Sequence, residues 1–367
     1  MRVLISGGGT GGHVNPAIAI ANYMREKNKN VQIAFVGTEN RIENTLVPQE
    51  GYKLYYVKVK GLKRKLSLHN IDALVKAFTS QITAKKIIKE YKPDIVIGTG
   101  GYVSFPVLSV AAKMKIPTVI HEQNAFPGVT TKLLAKSVDK VMISFEESRK
   151  YFGDESKLIY TGNPVKSEFF TVDYREAKNE LSRDRPMILS YGGSMGGEKI
   201  NEALIDFMDR YSKNKNINHY HATGSIGYKK FSEVFNKKGL NTYNNLFLSE
   251  YLFGIAKYMS AADIVICRAG ALTLSELAVT RKAAVLIPSP NVAENHQYQN
   301  AVILEKENAA LVIEEKDLTA ELLAEKVEEL FGDPFKITGM AQNIGRFATP
   351  DTLEKMYKII MNVKNGL

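Results

Sequence analysis

Twice in this chain a short apolar run stops abruptly in a cluster of glycines. Leu4-Ile5-Ser6 runs into Gly7-Gly8-Gly9-Thr10-Gly11-Gly12-His13, and Met187-Ile188-Leu189 precedes Gly192-Gly193-Ser194-Met195-Gly196-Gly197. A strand ending in glycines can turn with positive φ and bring main-chain N–H groups close to a ligand, and the helix that follows adds its unpaired donors and positive dipole end. In the first case a helix is expected to start near Asn15-Pro16, with His13 at the mouth of the loop. Two such loops predict two α/β domains facing one cleft.

At 367 residues the chain suits two such domains better than one. With 44% apolar and 24% charged residues it reads as globular, and no apolar stretch approaches the roughly 18 residues needed to span a bilayer. Met1-Arg2-Val3-Leu4-Ile5 enters a strand directly, without a secretory cleavage pattern, and the single Cys267 excludes an internal disulfide or a multi-cysteine metal site. A cytosolic setting is the expectation. The net charge of +10 is concentrated: from Lys53 to Lys92, eleven lysines and arginines stand against Asp72 and Glu90. Such a block either forms a solvated face or meets an anionic partner.

Apolar runs alternate with helix-period segments throughout. Strands are expected at 3–6, 31–36, 54–59, 95–98, 118–121, 141–144 and 158–160, with helices at 16–26, 71–91 and 129–135. A second series has strands at 187–191, 219–222, 246–248, 264–267, 284–287 and 310–313, with helices at 200–211 and 318–330. The alternation implies parallel sheets covered on both faces. The expected organisation is a first domain over 1–164, a second over 165–350, and a helix in 351–367 that returns to the first. Ligands of doubly wound sheets bind beyond the carboxyl ends of the strands, where both glycine loops and Gly98-Thr99-Gly100-Gly101 fall.

Gly7-x-Gly9-x-x-Gly12 matches the dinucleotide fingerprint, but the second strand ends in Gly37-Thr38 rather than the acidic residue that holds a ribose, and no Walker A lysine follows. His13 is either a helix-start residue or a proton-transfer group beside a phosphate-type loop. The side chains of His121-Glu122-Gln123-Asn124, at another strand end, should point into the same cleft. There Glu122 would position a ligand or tune a neighbour, and Asn124 offers the donor and acceptor that sugar hydroxyls need. In the second half, Cys267-Arg268-Ala269-Gly270 leads to a helix start at Ala271-Leu272-Thr273-Leu274-Ser275-Glu276. Thr273 or Ser275 either caps that helix or joins a phosphate site, and Glu276 could accept paired hydrogen bonds from a ribose diol. Gln297, after Pro288-Ser289-Pro290-Asn291, reads equally as a sugar contact or as surface. No Asp-x-Asp pair occurs, so a metal-dependent nucleotide-sugar site is disfavoured and no metal is expected.

Leu62, Lys63, Arg64, Lys65 and Leu66 precede a helix bearing Ile71, Leu74, Val75, Phe78 and Ile82 at three- and four-residue spacing. The stripe fits a core face; the basic residues beside it favour a partly exposed patch on an anionic leaflet. Nucleic acid is not an expected partner, because no nucleic-acid module is present.

Six motifs in order, Gly8-Gly9-Thr10-Gly11-Gly12-His13, Gly100-Gly101-Tyr102-Val103, His121-Glu122-Gln123-Asn124, Gly162-Asn163-Pro164-Val165, Gly192-Gly193-Ser194 and Arg268 to Glu276, span essentially the whole chain. They resemble the MurG family, the UDP-N-acetylglucosamine:lipid I N-acetylglucosaminyltransferases that make lipid II in bacterial peptidoglycan synthesis. The resemblance implies the GT-B architecture, two Rossmann-like domains facing a cleft, working with no cofactor and no bound metal. It implies that Thr10, Gly11, Gly12 and Asn124 face the transferred sugar. Ser194, Ala271, Leu272, Thr273, Leu274, Ser275, Glu276 and Gln297 would hold UDP-GlcNAc, with Leu252 against the uracil. Lys166 stands where the family usually has arginine, which keeps the charge but loses the bidentate fork. His13 is the candidate base, with Glu122 as the second catalytic candidate. Leu62, Lys63, Arg64, Lys65, Leu66, Leu74, Val75 and Phe78 would rest on the anionic inner leaflet, at the cytoplasmic face of the membrane. Lipid I would be the acceptor, and other cell-wall synthesis proteins are further partners to test. The rival readings are a UDP-GlcNAc 2-epimerase, a glycosyltransferase acting on diacylglycerol, an NAD dehydrogenase and a non-enzymatic nucleotide-sugar scaffold.

Overall fold

The computed structural model describes residues 1–59, 68–183, 185–193 and 196–367, with the backbone alone at 68–78, 214 and 293. The chain divides into two compact units, Met1–Pro164 with Asp351–Leu367, and Val165–Pro350.

The first unit contains β1 (Arg2–Gly7), α1 (Gly11–Lys27), β2 (Gln32–Gly37), α2 (Glu43–Gln49), β3 (Lys53–Tyr56), α3 (Leu68–Tyr91), β4 (Ile95–Gly100), α4 (Ser104–Lys113), β5 (Thr118–Glu122), α5 (Val129–Leu134), β6 (Lys140–Ile143) and β7 (Leu158–Tyr160). Its strands form one parallel sheet in the order β3-β2-β1-β4-β5-β6-β7. The direction of winding reverses between β1 and β4, and their carboxyl ends are where such a sheet opens to a ligand. Val3, Leu4 and Ile5 of β1 and Ile95, Val96 and Ile97 of β4 are fully buried, as a sheet covered on both faces requires. Each such side chain contributes roughly 1.5–3 kcal/mol of burial.

The second unit runs α6 (Glu168–Thr171), α7 (Tyr174–Ser182), β8 (Met187–Tyr191), α8 (Glu198–Arg210), β9 (Asn218–Ala222), α9 (Tyr228–Lys237), β10 (Leu246–Ser249), α10 (Ile255–Ala261), β11 (Ile264–Cys267), α11 (Ala271–Thr280), β12 (Ala283–Leu286), α12 (His296–Lys306), β13 (Leu311–Val312), α13 (Ala320–Phe331) and α14 (Pro334–Gly345). The sheet is again parallel, ordered β10-β9-β8-β11-β12-β13, with the reversal between β8 and β11. Cys267, at the end of β11, is fully buried, and desolvation pushes its thiol up to about 12, so it is chemically quiet.

The last helix, α15 (Thr352–Lys364), packs on α1 in the first unit. Met356, Ile360 and Val363 join the cluster around Val14, Ala17 and Ala21, and the Thr352 hydroxyl donates to the Thr161 carbonyl at 2.8 Å. Glu354 accepts hydrogen bonds from the Tyr23 hydroxyl and, at 3.0 Å, from the Lys27 ammonium, which hold its carboxyl down to about 2.

Several expected boundaries move by a few residues. α1 starts at Gly11 rather than near Asn15-Pro16, because the Thr10 carbonyl already accepts from the amides of His13 and Val14, both at 3.1 Å. His13 therefore lies on the first turn of the helix, not ahead of it. The strand expected over 54–59 runs instead from Lys53 to Tyr56.

Candidate active site

In the first unit the loop after β1 and the loop after β4 interlock. Gly100 and Gly101 have φ of +100° and +79°, a region that only glycine occupies without strain. A Cβ on Gly100 would lie 2.7 Å from His13 Nδ1, and one on Gly101 would lie 2.3 Å from the Gly8 carbonyl oxygen. The Thr99 hydroxyl donates to the His13 carbonyl at 2.7 Å, so β4 holds the first turn of α1 by its backbone as well. Gly100→Ala should therefore displace the His13 ring. We expect turnover to fall about a hundredfold and stability to drop by about 1–3 kcal/mol, checked by steady-state kinetics beside thermal unfolding.

The glycine loop after β1 rests on a carboxylate that the sequence motif does not contain. Glu43, fully buried at the start of α2, accepts from the Gly9 amide at 2.9 Å and from the Thr38 amide and hydroxyl at 3.0 and 2.8 Å. Gly8 and Gly37 leave the room it needs: a Cβ on either would meet Glu43 atoms at 2.4 and 2.7 Å. With the Gly9 amide committed, the first amides of α1 remain as donors for a ligand. Thr10 is exposed and makes no side-chain cap, and the Gly11 and Gly12 amides have no partner among the described residues.

The His121 to Asn124 segment departs from expectation. Three of its four side chains are buried rather than directed to an open face: His121 is 0%, Glu122 3% and Gln123 2% exposed. Glu122 Oε1 accepts from the Asn124 amide at 3.1 Å and its side-chain amide at 3.2 Å, while Oε2 accepts from the Gly128 amide at 3.1 Å. Both oxygens are thus engaged in shaping the loop that carries Asn124. Gln123 connects the two histidines, its Oε1 lying 3.1 Å from His13 Nδ1 and its Nε2 3.0 Å from His121 Nδ1. Asn163 ties the neighbouring loop in, donating to the Gln123 carbonyl at 3.1 Å and accepting from Ser144 at 2.9 Å.

In the second unit, Ser194 lies outside the described residues. On either side, Gly193 and Gly196 have φ of +95° and +76°, and a Cβ on Gly196 would lie 1.9 Å from the Thr223 carbonyl oxygen. Arg268, nearly buried, pairs with Glu315 and donates to the Ile287 carbonyl at 3.2 Å. α11 is capped by Gly270 with no side-chain cap, so neither Thr273 nor Ser275 caps it. Both lie inside the helix, and the Ser275 hydroxyl donates back to the Ala271 carbonyl at 3.1 Å. Ala271 and Leu274 are buried, Leu272 and Thr273 half-buried. Glu276, one turn further, sits in a low-dielectric recess that pushes its carboxyl up to about 8; Lys166 pulls it down and Glu168 up. Its side chain still reaches solvent, so a ligand hydroxyl can approach it. Lys166 is exposed.

Gln297 is half-buried near the start of α12, where its carbonyl accepts from the Ser289 amide at 2.8 Å. The two residues that deliver the chain into that helix, Glu294 and Asn295, both have φ above +50°. Left-handed backbone at non-glycine residues stores strain and is concentrated at ligand sites. Leu252 is buried between the exposed rings of Tyr251 and Phe253 in the sequence. Among the described residues, no group of three histidine, cysteine or acidic side chains has the arrangement of a metal site.

Leu62, Lys63, Arg64, Lys65 and Leu66 lie outside the described residues, and Leu74, Val75 and Phe78 are placed only as backbone on α3. Further along that helix Ile82 is 57% exposed, whereas Ala84, Ile87 and Ile88 are buried. Among the described residues, no helix is long and apolar enough to cross a membrane.

The sequence matches the glycosyltransferase family 28 N-terminal domain over residues 3–143 and the family's C-terminal domain over 187–356. A curated relative from Acetivibrio thermocellus is named UDP-N-acetylglucosamine–N-acetylmuramyl-(pentapeptide) pyrophosphoryl-undecaprenol N-acetylglucosamine transferase. It is 44% identical over 99% of this chain and 98% of its own length. The crystal structure of Acinetobacter baumannii MurG superposes with a TM-score of 0.78 at 28% identity, over 98% of this chain and 99% of that one. A UDP-GlcNAc 2-epimerase from Neisseria meningitidis, solved with UDP-GlcNAc, superposes at a TM-score of 0.67 over 99% of this chain and all of its own, but at 14% identity it shares the fold alone. Both units adopt the doubly wound parallel α/β fold of the GT-B architecture, and the chain belongs to glycosyltransferase family 28.

Proposed function

We propose that this enzyme transfers N-acetylglucosamine from UDP-GlcNAc to the muramyl 4-hydroxyl of lipid I, with inversion, to give lipid II. The observation that carries this reading is the 44% identity, over nearly the full length of both chains, with a transferase of that name. The site supports it chemically. The oxygen of the acceptor hydroxyl forms a bond to C1 of the sugar as the bond from C1 to the diphosphate breaks, and the electron pair leaves with UDP. The hydroxyl proton passes to His13, whose ring stands on the first turn of α1. The Gly11 and Gly12 amides and Asn124 bind the sugar and the acceptor side. Ser194, the helix start from Ala271 to Glu276, Gln297 and Lys166 hold the nucleotide sugar, with Leu252 against the uracil. Charge on the departing diphosphate is met by helix-end amides and basic side chains rather than a metal. Glu122 acts by holding the Asn124 loop.

Three incubations separate this function from its rivals: UDP-GlcNAc alone, with diacylglycerol, and with a lipid I analogue. Transfer is expected only in the third. UDP-ManNAc in the first would indicate an epimerase, and a glycolipid in the second would indicate a diacylglycerol transferase.

The basic segment from Lys53 to Lys92 and the exposed Ile82 support docking on an anionic inner leaflet, where a polyprenyl acceptor resides. The protein should co-sediment with phosphatidylglycerol vesicles more than with phosphatidylcholine vesicles, and less as salt rises. Binding indifferent to lipid charge and salt would remove the electrostatic part.

A further inference from the structure

We propose that Gln123 is a positioning residue for the transfer: bridging His121 and His13, it holds His13 as the Nδ1–H tautomer and leaves the Nε2 lone pair as the base. This rests on the reading of His13 as the group that accepts the hydroxyl proton.

The tautomer follows from backbone carbonyls, which can only accept. His121 Nε2 lies 3.1 Å from the Gly162 carbonyl oxygen and 2.9 Å from the Ser144 hydroxyl, whose own proton has acceptors at the Glu122 carbonyl (2.8 Å) and Asn163 Oδ1 (2.9 Å); Nε2 therefore carries the proton and Nδ1 is the acceptor. Gln123 Nε2 lies 3.0 Å from that Nδ1, 3.0 Å from the Thr99 carbonyl and 3.1 Å from the His121 carbonyl, and the two carbonyls require the amide NH2 there. Gln123 Oε1 is thereby turned toward His13, 3.1 Å from Nδ1, and His13 must donate from that atom. A neutral imidazole with its proton on Nδ1 has its free lone pair on Nε2. That nitrogen has no partner among the described residues. The relay is rigid: Thr99 and His121 are fully buried, Gln123 almost so. Burial also holds His121 down to about 4, so it stays neutral at physiological pH and cannot reverse the chain. Gly100, having no Cβ, lets the His13 ring reach Gln123.

Ring 15N–1H correlation spectra of histidine-labelled enzyme test this, with the His13 signals identified by their loss in His13→Ala. In the wild type the His13 proton is expected on Nδ1. Gln123→Met keeps the bulk but supplies no acceptor. It should shift His13 toward the Nε2–H tautomer and lower kcat about tenfold to a hundredfold with the KM for UDP-GlcNAc nearly unchanged. Gln123→Glu still presents an oxygen to His13, so it should retain the Nδ1–H tautomer, while the oxygen it places beside the Thr99 carbonyl loses the donor contacts; the tautomer rather than kcat is its readout. A proton on Nε2 in the wild type, or a Gln123→Met enzyme with unchanged tautomer and kcat, would overturn the proposal. The wild-type spectrum needs no variant, so it decides even if a substitution prevents folding. Full activity in His13→Ala would instead overturn the base assignment while leaving the tautomer readable.

Discussion

His13→Ala should lower turnover about 10²- to 10⁴-fold, the usual contribution of a positioned acid or base, while the KM for UDP-GlcNAc changes little. The asymmetry follows from where the residue sits. His13 belongs to the first unit, on the first turn of α1, whereas the residues assigned to the nucleotide lie in the second unit on α11 and α12. Removing an interaction made only as the proton is transferred lowers kcat and kcat/KM together. Steady-state kinetics on a lipid I analogue, with donor binding measured separately by calorimetry, make the comparison. A variant that turned over at a rate close to wild type would show that the proton goes elsewhere.

The second large effect concerns Glu276 and pH. Burial pushes its carboxyl up to about 8, so near neutrality much of the free enzyme carries a proton there. A ribose diol has two hydroxyls to donate, which a carboxylate accepts in full and a carboxylic acid accepts only in part. Donor binding therefore favours the ionised form and must expel a proton below pH 8. The affinity for UDP-GlcNAc should weaken as pH falls through 8, approaching about tenfold per unit, and level off above it. Glu276→Gln should flatten this profile and weaken binding at pH 9 about tenfold to a hundredfold, the worth of hydrogen bonds to a charged acceptor. Calorimetric titrations from pH 6 to 9 read both. Wild-type affinity independent of pH would separate Glu276 from the ribose.

Much of this arrangement was readable from residue order because glycine clusters and strand ends report local backbone demands. The loop from Gly7 to Gly12, Gly100-Gly101 and the turn into α11 all fall at the carboxyl ends of strands beside the two reversals of winding. What sequence spacing did not reveal are the supports that reach across the fold. Glu43 meets Gly9 from 34 residues away, and Gln123 meets His13 from 110 away. Period and propensity have no access to such pairs. A signal for Gln123 existed, since it flanks Glu122 and Asn124 in one motif, yet a polar run at a strand end reads as open when it is in fact buried. α1 starts earlier than its residues suggest for a local reason: Gly11 and Gly12 are poor helix formers, and the Thr10 carbonyl together with the Thr99 contact to His13 overrides their propensity. Among the histidines, His219 and His221 are wholly buried around the Ser190 hydroxyl and serve the interior of the second unit.

Direct displacement at the sugar C1 with a general base is tested most directly by its stereochemistry. Wild-type enzyme would be supplied with 13C-labelled UDP-GlcNAc, whose sugar is α-linked, and a lipid I analogue; released UDP would be counted and the new anomeric centre read by NMR. One UDP per β-linked disaccharide is the predicted result. An α-linked product, or UDP release without transfer to the muramyl sugar, would contradict it.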